Sequence, residues 1–309
     1  MSTPAKETAP KSPSDWPAWL AIALGWALAR APWRVQQGLG WWLGRLMQLL
    51  MIARRRIAAD NLRRCFPELD DDARKRLLRA HFDSLGLGVF EFLRAWWGRL
   101  SPLDRRHSLT GLEHLRAAQA GGRGAILVSP HFTTLEICVR LLARDVALAG
   151  MYRRHDAPAL EWAVKRARRH YTLAMFGRDE LRAAVRHLKS GGVLWFAPDQ
   201  ETRRGESVFV PFFGQSAWSL TSTHQLARLS RAAVLPLFHE RLPDGSYRLE
   251  IGEALENFPS TDARADTARI MALMEAQIRR VPAQYLWIHQ RFKRQPDAAG
   301  SLSTTAPDQ

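Results

Sequence analysis

A chain of 309 residues that is 46% hydrophobic can bury one large α/β core or two smaller ones. Its two cysteines, Cys65 and Cys138, exclude a disulfide framework and a zinc-ligand spacing, and read as small apolar residues in a reducing compartment. The formal charge of +15, mostly from arginine, predicts an anionic partner (a membrane surface, phosphates, an acidic carrier protein or nucleic acid), although the same excess would also serve solubility alone.

Residues 1–15 are rich in Pro, Ser, Thr and Lys and read as a disordered lead-in. Residues 16–29 are almost wholly apolar, yet short of the roughly 20 residues that a membrane span needs, and Arg30 and Pro32 close them. A second apolar stretch, 35–52, carries Arg45 inside it and runs into Arg54-Arg55-Arg56. Trp16, Trp19, Trp26, Trp33, Trp41 and Trp42 crowd this region, a density that suits a membrane interface. A signal peptide would need a stronger basic start and a small-residue cleavage site. A buried helix of a soluble core is a second reading. The favoured one is a membrane anchor over 16–56, inserted deeply or spanning once, with an amphipathic helix beside it. The arginines on its C-terminal side then direct the rest of the chain to the cytoplasm.

Residues 57–106 read as helical. Asp70-Asp71-Asp72 is an acidic helix start, and Leu77, Leu78, Phe82, Leu85, Phe90 and Leu93 follow at roughly helical spacing. Glu91, inside this apolar run, reads as an ion-paired helix glutamate rather than a site residue. From residue 107 to 294 the pattern alternates between strand and helix. Strands are expected at 125–128, 146–152, 193–197, 208–213 and 233–239, with 247–251 pairing across Pro243-Asp244-Gly245. Helices are expected at 159–170, 179–189 and 262–280. The fold class is therefore α/β: a central, mostly parallel or mixed sheet flanked by helices, behind an N-terminal membrane-anchoring helical segment. The tail, 295–309, reads as disordered. There is no internal repeat, P-loop or dinucleotide glycine fingerprint.

The chemistry concentrates in Ser129-Pro130-His131-Phe132-Thr133-Thr134-Leu135-Glu136, where a strand hands over to a helix. A histidine so placed is a candidate general base. The helix N-terminus supplies a positive field, and Glu136, one turn in, can hold the imidazole in one tautomer. The plainer alternative is a capping box, with Thr133 as N-cap, Glu136 reaching back, and His131 an ordinary loop residue. Asp199 follows another strand in Phe196-Ala197-Pro198-Asp199-Gln200, so it occupies a place equivalent to that of His131 and the two can converge; a turn aspartate is the alternative. Arg168 belongs to a basic helix face, Lys165-Arg166-Ala167-Arg168-Arg169-His170, most of which should be solvated. Arg203-Arg204 reads the same way. His289, Arg291, Lys293 and Arg294, mixed with Trp287 and Phe292, suit lipid headgroups or nucleic acid. Cys138 is a weak candidate nucleophile.

Together these segments resemble the late (secondary) acyltransferases of lipid A biosynthesis, within the wider glycerolipid acyltransferase superfamily. The resemblance rests on Asn61-Leu62-Arg63-Arg64-Cys65-Phe66-Pro67-Glu68, the His131…Glu136 block, Met151-Tyr152-Arg153 and Ala174-Met175-Phe176-Gly177-Arg178. It continues through Phe196–Gln200, Val208-Phe209-Val210-Pro211-Phe212-Phe213-Gly214 and the run from Gln284 to Lys293. It implies an enzyme of the bacterial inner membrane, catalytic domain facing the cytoplasm, that moves an acyl chain from acyl carrier protein to a hydroxyl of a Kdo-bearing lipid A precursor. It implies His131 and Glu136 as the catalytic pair, with Arg168 and Asp199 as substrate-binding or supporting residues; Glu201, close behind Asp199, leaves that local match open. A thioester donor is already activated, so no cofactor and no metal is expected, and nucleic acid is not expected as a partner. Rival readings are an acyltransferase for glycerol phosphate, a lysophospholipid or a glycolipid, and a non-enzymatic lipid-binding membrane protein.

Overall fold

The computed structural model describes residues 8–103, 105–177, 179–201, 205–296 and 302–304. Residues 1–7 of the expected lead-in and most of the tail lie outside the described residues, as do Arg178 and Arg203-Arg204; Pro13–Asp15, read as disordered, form a short 3-10 turn, and Arg294–Pro296 pairs antiparallel with Leu302–Thr304. The chain opens with four helices: α1 (Trp16–Leu28), α2 (Trp33–Leu50), α3 (Ile52–Cys65) and α4 (Asp71–Trp97). Asp70 starts α4 as the sequence predicts, its carboxylate accepting the Ala73 N–H at 2.6 Å.

Helix α2 turns an unusual face inward. Gln36, Gly40 and Gly44 are buried, and the backbone of α4 lies so close that a methyl group on Gly44 would overlap the Phe82 carbonyl, while one on Gly86 would overlap that of Gly40. Gln36 satisfies the carbonyls of Leu28 and Ala31, both at 2.9 Å, and accepts from Arg94 at 3.1 Å; Arg45 pairs with Asp83 at 2.9 Å. The opposite face exposes Val35, Leu39, Trp42, Leu46, Leu49 and Leu50, and α1 exposes Trp16, Leu20, Leu24 and Trp26. No helix among the described residues is long and apolar enough to cross a membrane. With 13 residues, α1 extends for only about 20 Å, against a hydrocarbon core of about 30 Å. Arg30 and Pro32 end the first apolar run before it reaches that length.

The α/β part contains β1 (His107–Thr110), α5 (Leu112–Gln119), β2 (Ala125–Val128), α6 (Leu135–Leu142), β3 (Leu148–Tyr152), α7 (Pro158–Arg168), β4 (Met175–Gly177) and α8 (Leu181–Lys189). It continues with β5 (Val193–Phe196), β6 (Ser207–Phe212), β7 (Gln215–Leu220), α9 (Ser222–Ser230), β8 (Ala233–Arg241), β9 (Tyr247–Ile251) and α10 (Ala263–Arg280). Seven strands form one mixed sheet in the order β1-β9-β8-β2-β5-β3-β4. The run from β8 to β4 is parallel; β9 returns antiparallel to β8 through the hairpin expected around Asp244, and β1 pairs parallel to β9. Strands β2 and β5 are buried at every position, which is why they read as unbroken apolar runs rather than alternating ones. The expected strand at 208–213 is found as β6, but outside the main sheet, in a two-stranded hairpin with β7.

Register sets up the site. In the β2–β5 pair, Val128 lies opposite Phe196. His131 and Asp199 each follow three residues later, so they leave adjacent strand ends side by side.

Candidate active site

His131 and Asp199 converge. The Asp199 carboxylate is fully buried and holds its neighbour twice: Oδ1 lies 2.6 Å from His131 Nδ1, and Oδ2 accepts the His131 backbone N–H at 3.1 Å. An ionised carboxylate only accepts, so Nδ1 carries the proton and Nε2 keeps its lone pair. The imidazole side chain is 27% exposed, and nothing among the described residues occupies Nε2. Burial works against the ionised form of Asp199. The two hydrogen bonds from His131, and the positive charge of that ring in its protonated form, outweigh burial and hold the carboxyl below the usual range.

A second segment clamps the His131 loop. Leu286 N–H donates to the His131 carbonyl at 3.0 Å, Thr133 N–H donates to the Gln284 carbonyl at 2.8 Å, and Phe132 bridges antiparallel to Tyr285. Buried Tyr285 has its phenol pushed well up, first by desolvation and then by the Asp199 charge. His289, on the same segment, is lowered to about 4, chiefly by burial. Trp195 on β5 donates to Ser129 Oγ at 2.9 Å, fixing the chain two residues before the histidine.

Glu136 does not hold the imidazole, which corrects the expected orienting pair. It enters the first turn of α6 facing α7, and its oxygens are taken there. Oε1 accepts from Trp96 Nε1 at 2.8 Å, Arg168 Nε at 2.7 Å and the Tyr171 hydroxyl at 2.5 Å, while Oε2 accepts from Arg168 at 2.6 Å. Burial again opposes the charge, and the Arg168 charge with the hydrogen bonds from Arg168, Tyr171 and Trp96 overcomes it, so the Glu136 carboxyl lies below its ordinary value. Arg168 is correspondingly held as a guanidinium, with the rings of Trp96 and Tyr152 5.9 and 5.7 Å away. A cavity of about 30 Å³, roughly the room one water needs, separates this pair from Leu135, Val139, Met151 and Trp195.

The capping box is absent as well. Thr134, not Thr133, stands at the N-cap of α6 and makes no side-chain cap bond. Its hydroxyl meets His239 Nδ1 at 3.0 Å, and the Thr133 hydroxyl meets Ser84 Oγ on α4 at 2.8 Å.

An imidazole at a strand end, held by a buried carboxylate, is an arrangement many hydrolases and transferases share, and the sequence comparisons narrow the choice. The model of the family described as bacterial lipid A biosynthesis acyltransferase matches residues 3–294. The chain belongs to this family. It is 35% identical to the lipid A biosynthesis lauroyltransferase of Escherichia coli (strain K12) over 300 residues, 96% of this chain and 98% of that protein. It is 36% identical to the palmitoleoyltransferase of the same strain over 292 residues, covering 94% and 95% of the two chains. The myristoyltransferase of that strain is 24% identical over 288 residues, 92% of this chain and 88% of the relative.

The other singled-out residues of this acyltransferase have structural places. Cys138 is buried and its thiol is pushed well up by desolvation, so it is no nucleophile at neutral pH. Glu91 pairs with Arg241 at 2.6 Å and accepts from Tyr247 at 2.7 Å, the ion-paired helix glutamate the sequence suggests. Glu201 lies 3.6 Å from Arg294. Arg291 is buried, bonding the Trp218 carbonyl at 2.7 Å and Ser219 Oγ at 2.5 Å, so it braces the β6–β7 hairpin and is removed from the expected headgroup cluster. Trp96, Tyr171 and Tyr285 escape the sequence reading. Tyr171 alone left a signal, sitting three residues beyond Arg168 at the helix end.

Proposed function

We propose that this acyltransferase moves a fatty acyl group from the thioester of acyl carrier protein to a hydroxyl of a Kdo-bearing lipid A precursor, at the cytoplasmic face of a bacterial inner membrane. The thioester needs no further activation, whereas an alkyl hydroxyl is a poor nucleophile at neutral pH. His131 Nε2 takes the hydroxyl proton as the oxygen attacks the thioester carbonyl. The tetrahedral intermediate then expels the thiolate, and the imidazolium returns the proton to sulfur. Asp199 keeps Nδ1 protonated and stabilises the transient imidazolium. Glu136 and Arg168 act by position, fixing the first turn of α6, which follows the His131 loop, against α7.

The His131–Asp199 contact at 2.6 Å, with Nε2 left open, is the observation that carries this reading. The relatives named for lauroyl, palmitoleoyl and myristoyl transfer in lipid A biosynthesis support a fatty acyl group and a lipid A precursor as acceptor. The exposed apolar faces of α1 and α2 support a protein lying in the interface without spanning it. Arg54, just past those faces, donates to the Ile288 carbonyl at 3.3 Å on the segment that clamps His131, a link between the two that supports a membrane-borne acceptor.

The test is transfer by the purified, detergent-solubilised protein from acyl carrier protein to the Kdo-bearing precursor. Glycerol phosphate and a lysophospholipid serve as competing acceptors, and acyl-CoA as a competing donor. The wild-type protein should prefer the lipid A precursor, and His131→Ala should fold, stay membrane-bound and lose transfer. Full activity in His131→Ala removes the base from the mechanism; preference for another acceptor removes the substrate assignment.

A further inference from the structure

At the opposite end of the sheet from His131, around the starts of β2 and β8, lies a pocket of about 450 Å³, within the size range of small-molecule sites. Arg123, Arg228 and Arg231 line it and no acidic residue does. The three come from separate places: the turn before β2, the last turn of α9 and the residue that caps α9. All three are exposed, and none of their guanidinium groups has a hydrogen bond or ion pair to another described residue, although the Arg231 backbone N–H donates to the Ala227 carbonyl at 2.8 Å. The floor and far wall are apolar, with Ala227, Leu255 and Phe258.

The walls are built in advance. Buried Asp266 on α10 accepts from His224 of α9 at 2.7 Å and from the Ser260 N–H at 2.7 Å, tying the arginine-bearing helix to the loop across the pocket. Arg269 holds that loop through the carbonyls of Glu256 and Asn257, at 2.8 and 3.2 Å, and lies over the Phe258 ring. Arg231 itself has φ +60°, a left-handed conformation that favours glycine, at the α9 C-cap. A guanidinium held there against backbone preference, among two others, is the kind of outlier from which function can be inferred.

We propose that this pocket is a second ligand site, for the phosphate of a small molecule whose less polar part lies on Leu255 and Phe258. Guanidinium groups match phosphate bidentately, and several on one concave wall set a charge that one phosphate group satisfies. Arg123 precedes β2 and His131 follows it, so the two lie beyond opposite ends of that strand and the site is separate from the transfer chemistry. The phosphate belongs either to a soluble metabolite or to a lipid headgroup.

Titration calorimetry on the full-length protein in detergent, with pyrophosphate and with ADP, tests the soluble source. Flotation with phosphatidylglycerol vesicles against neutral vesicles tests the headgroup. Arg231→Gly is the informative variant, because glycine relaxes the backbone while removing the guanidinium, so its thermal midpoint should hold or rise. Arg231→Gly and Arg228→Ala should each weaken the bound arm at least tenfold and leave acyl transfer unchanged. Failure of wild type to bind any of the probes at millimolar phosphate, or equal binding by wild type and both variants, overturns the site.

Discussion

His131, Asp199 and Glu136 show how far single residues could be read. Both His131 and Asp199 were legible, because each follows an unbroken apolar run that had to be a buried strand, and ligand sites gather at the carboxyl ends of such strands. Which carboxylate takes the imidazole was not legible. Glu136 is nearer in sequence, but its donors arrive from α4 and from the end of α7, as much as 40 residues away, and claim its oxygens first. The two carboxylates should therefore fail differently. Asp199→Asn keeps the shape but loses control of the tautomer, so kcat should fall by about 10²–10⁴-fold with little change in thermal midpoint. Glu136→Gln leaves a buried guanidinium without its counter-charge, a loss of about 3–5 kcal/mol, so the midpoint should drop along with activity. Steady-state kinetics and thermal unfolding of both variants separate the cases. An unmoved midpoint with abolished activity in Glu136→Gln would give the glutamate a chemical role.

Among the elements, α2 departs furthest from its sequence pattern. Its apolar residues were plain, but periodicity alone does not say which face is covered. Glycine decided it: Gly40 and Gly44 let the α4 backbone approach, and the larger side chains are left outside. Such a stripe on the surface has a cost in water that a lipid interface removes, at about 1.5–3 kcal/mol for each large side chain fully buried. Replacing Trp42, Leu46 and Leu49 together with serine should lower partition onto anionic vesicles by more than tenfold and leave the thermal midpoint in detergent near wild type. Gly44→Leu should do the reverse, lowering the midpoint by prising α2 from α4 while the stripe remains. Vesicle co-sedimentation and thermal unfolding read both. Equal partition of the triple variant and wild type would move the membrane contact elsewhere on the protein.

For the whole molecule, the alternation of strands and helices after residue 107 gave most of the sheet, while β7 and α9, like β1, α5 and β4, were not foreseen, and β6 was expected but not its place outside the sheet. Their sequences are short and mixed, and they are held by partners distant in the chain, such as Arg291 under the hairpin and Asp266 beside α9. The same long-range burial sets the acid response. His81 on α4, His239 on β8 and His289 on the clamping segment are pushed down to about 4, 3 and 4, each chiefly by burial. His81 lies near the backbone of Ala283 and Tyr285 without reaching hydrogen-bond geometry. His239 faces the charge of His131, and Asp199, His131, Arg291 and Arg54 act on His289. An unfolded histidine binds a proton near pH 6.5, so between there and pH 4 the unfolded chain holds protons that the folded one refuses. Stability must then fall as pH falls, by up to about 1.4 kcal/mol per pH unit for each histidine. Asp199 and Glu136, both depressed when folded, add their loss only below the ordinary carboxylate range. The positive excess of the chain grows over the same interval and acts in the same direction. Urea unfolding at constant ionic strength should thus show a midpoint that declines from about pH 6.5, well before carboxylates titrate, and goes on declining below about pH 4, where Asp199 and Glu136 take over from His81 and His289. His239→Asn should flatten the first limb by about a third and leave the second in place. A midpoint level from pH 7 to 4.5 would mean that these rings take up protons while still folded.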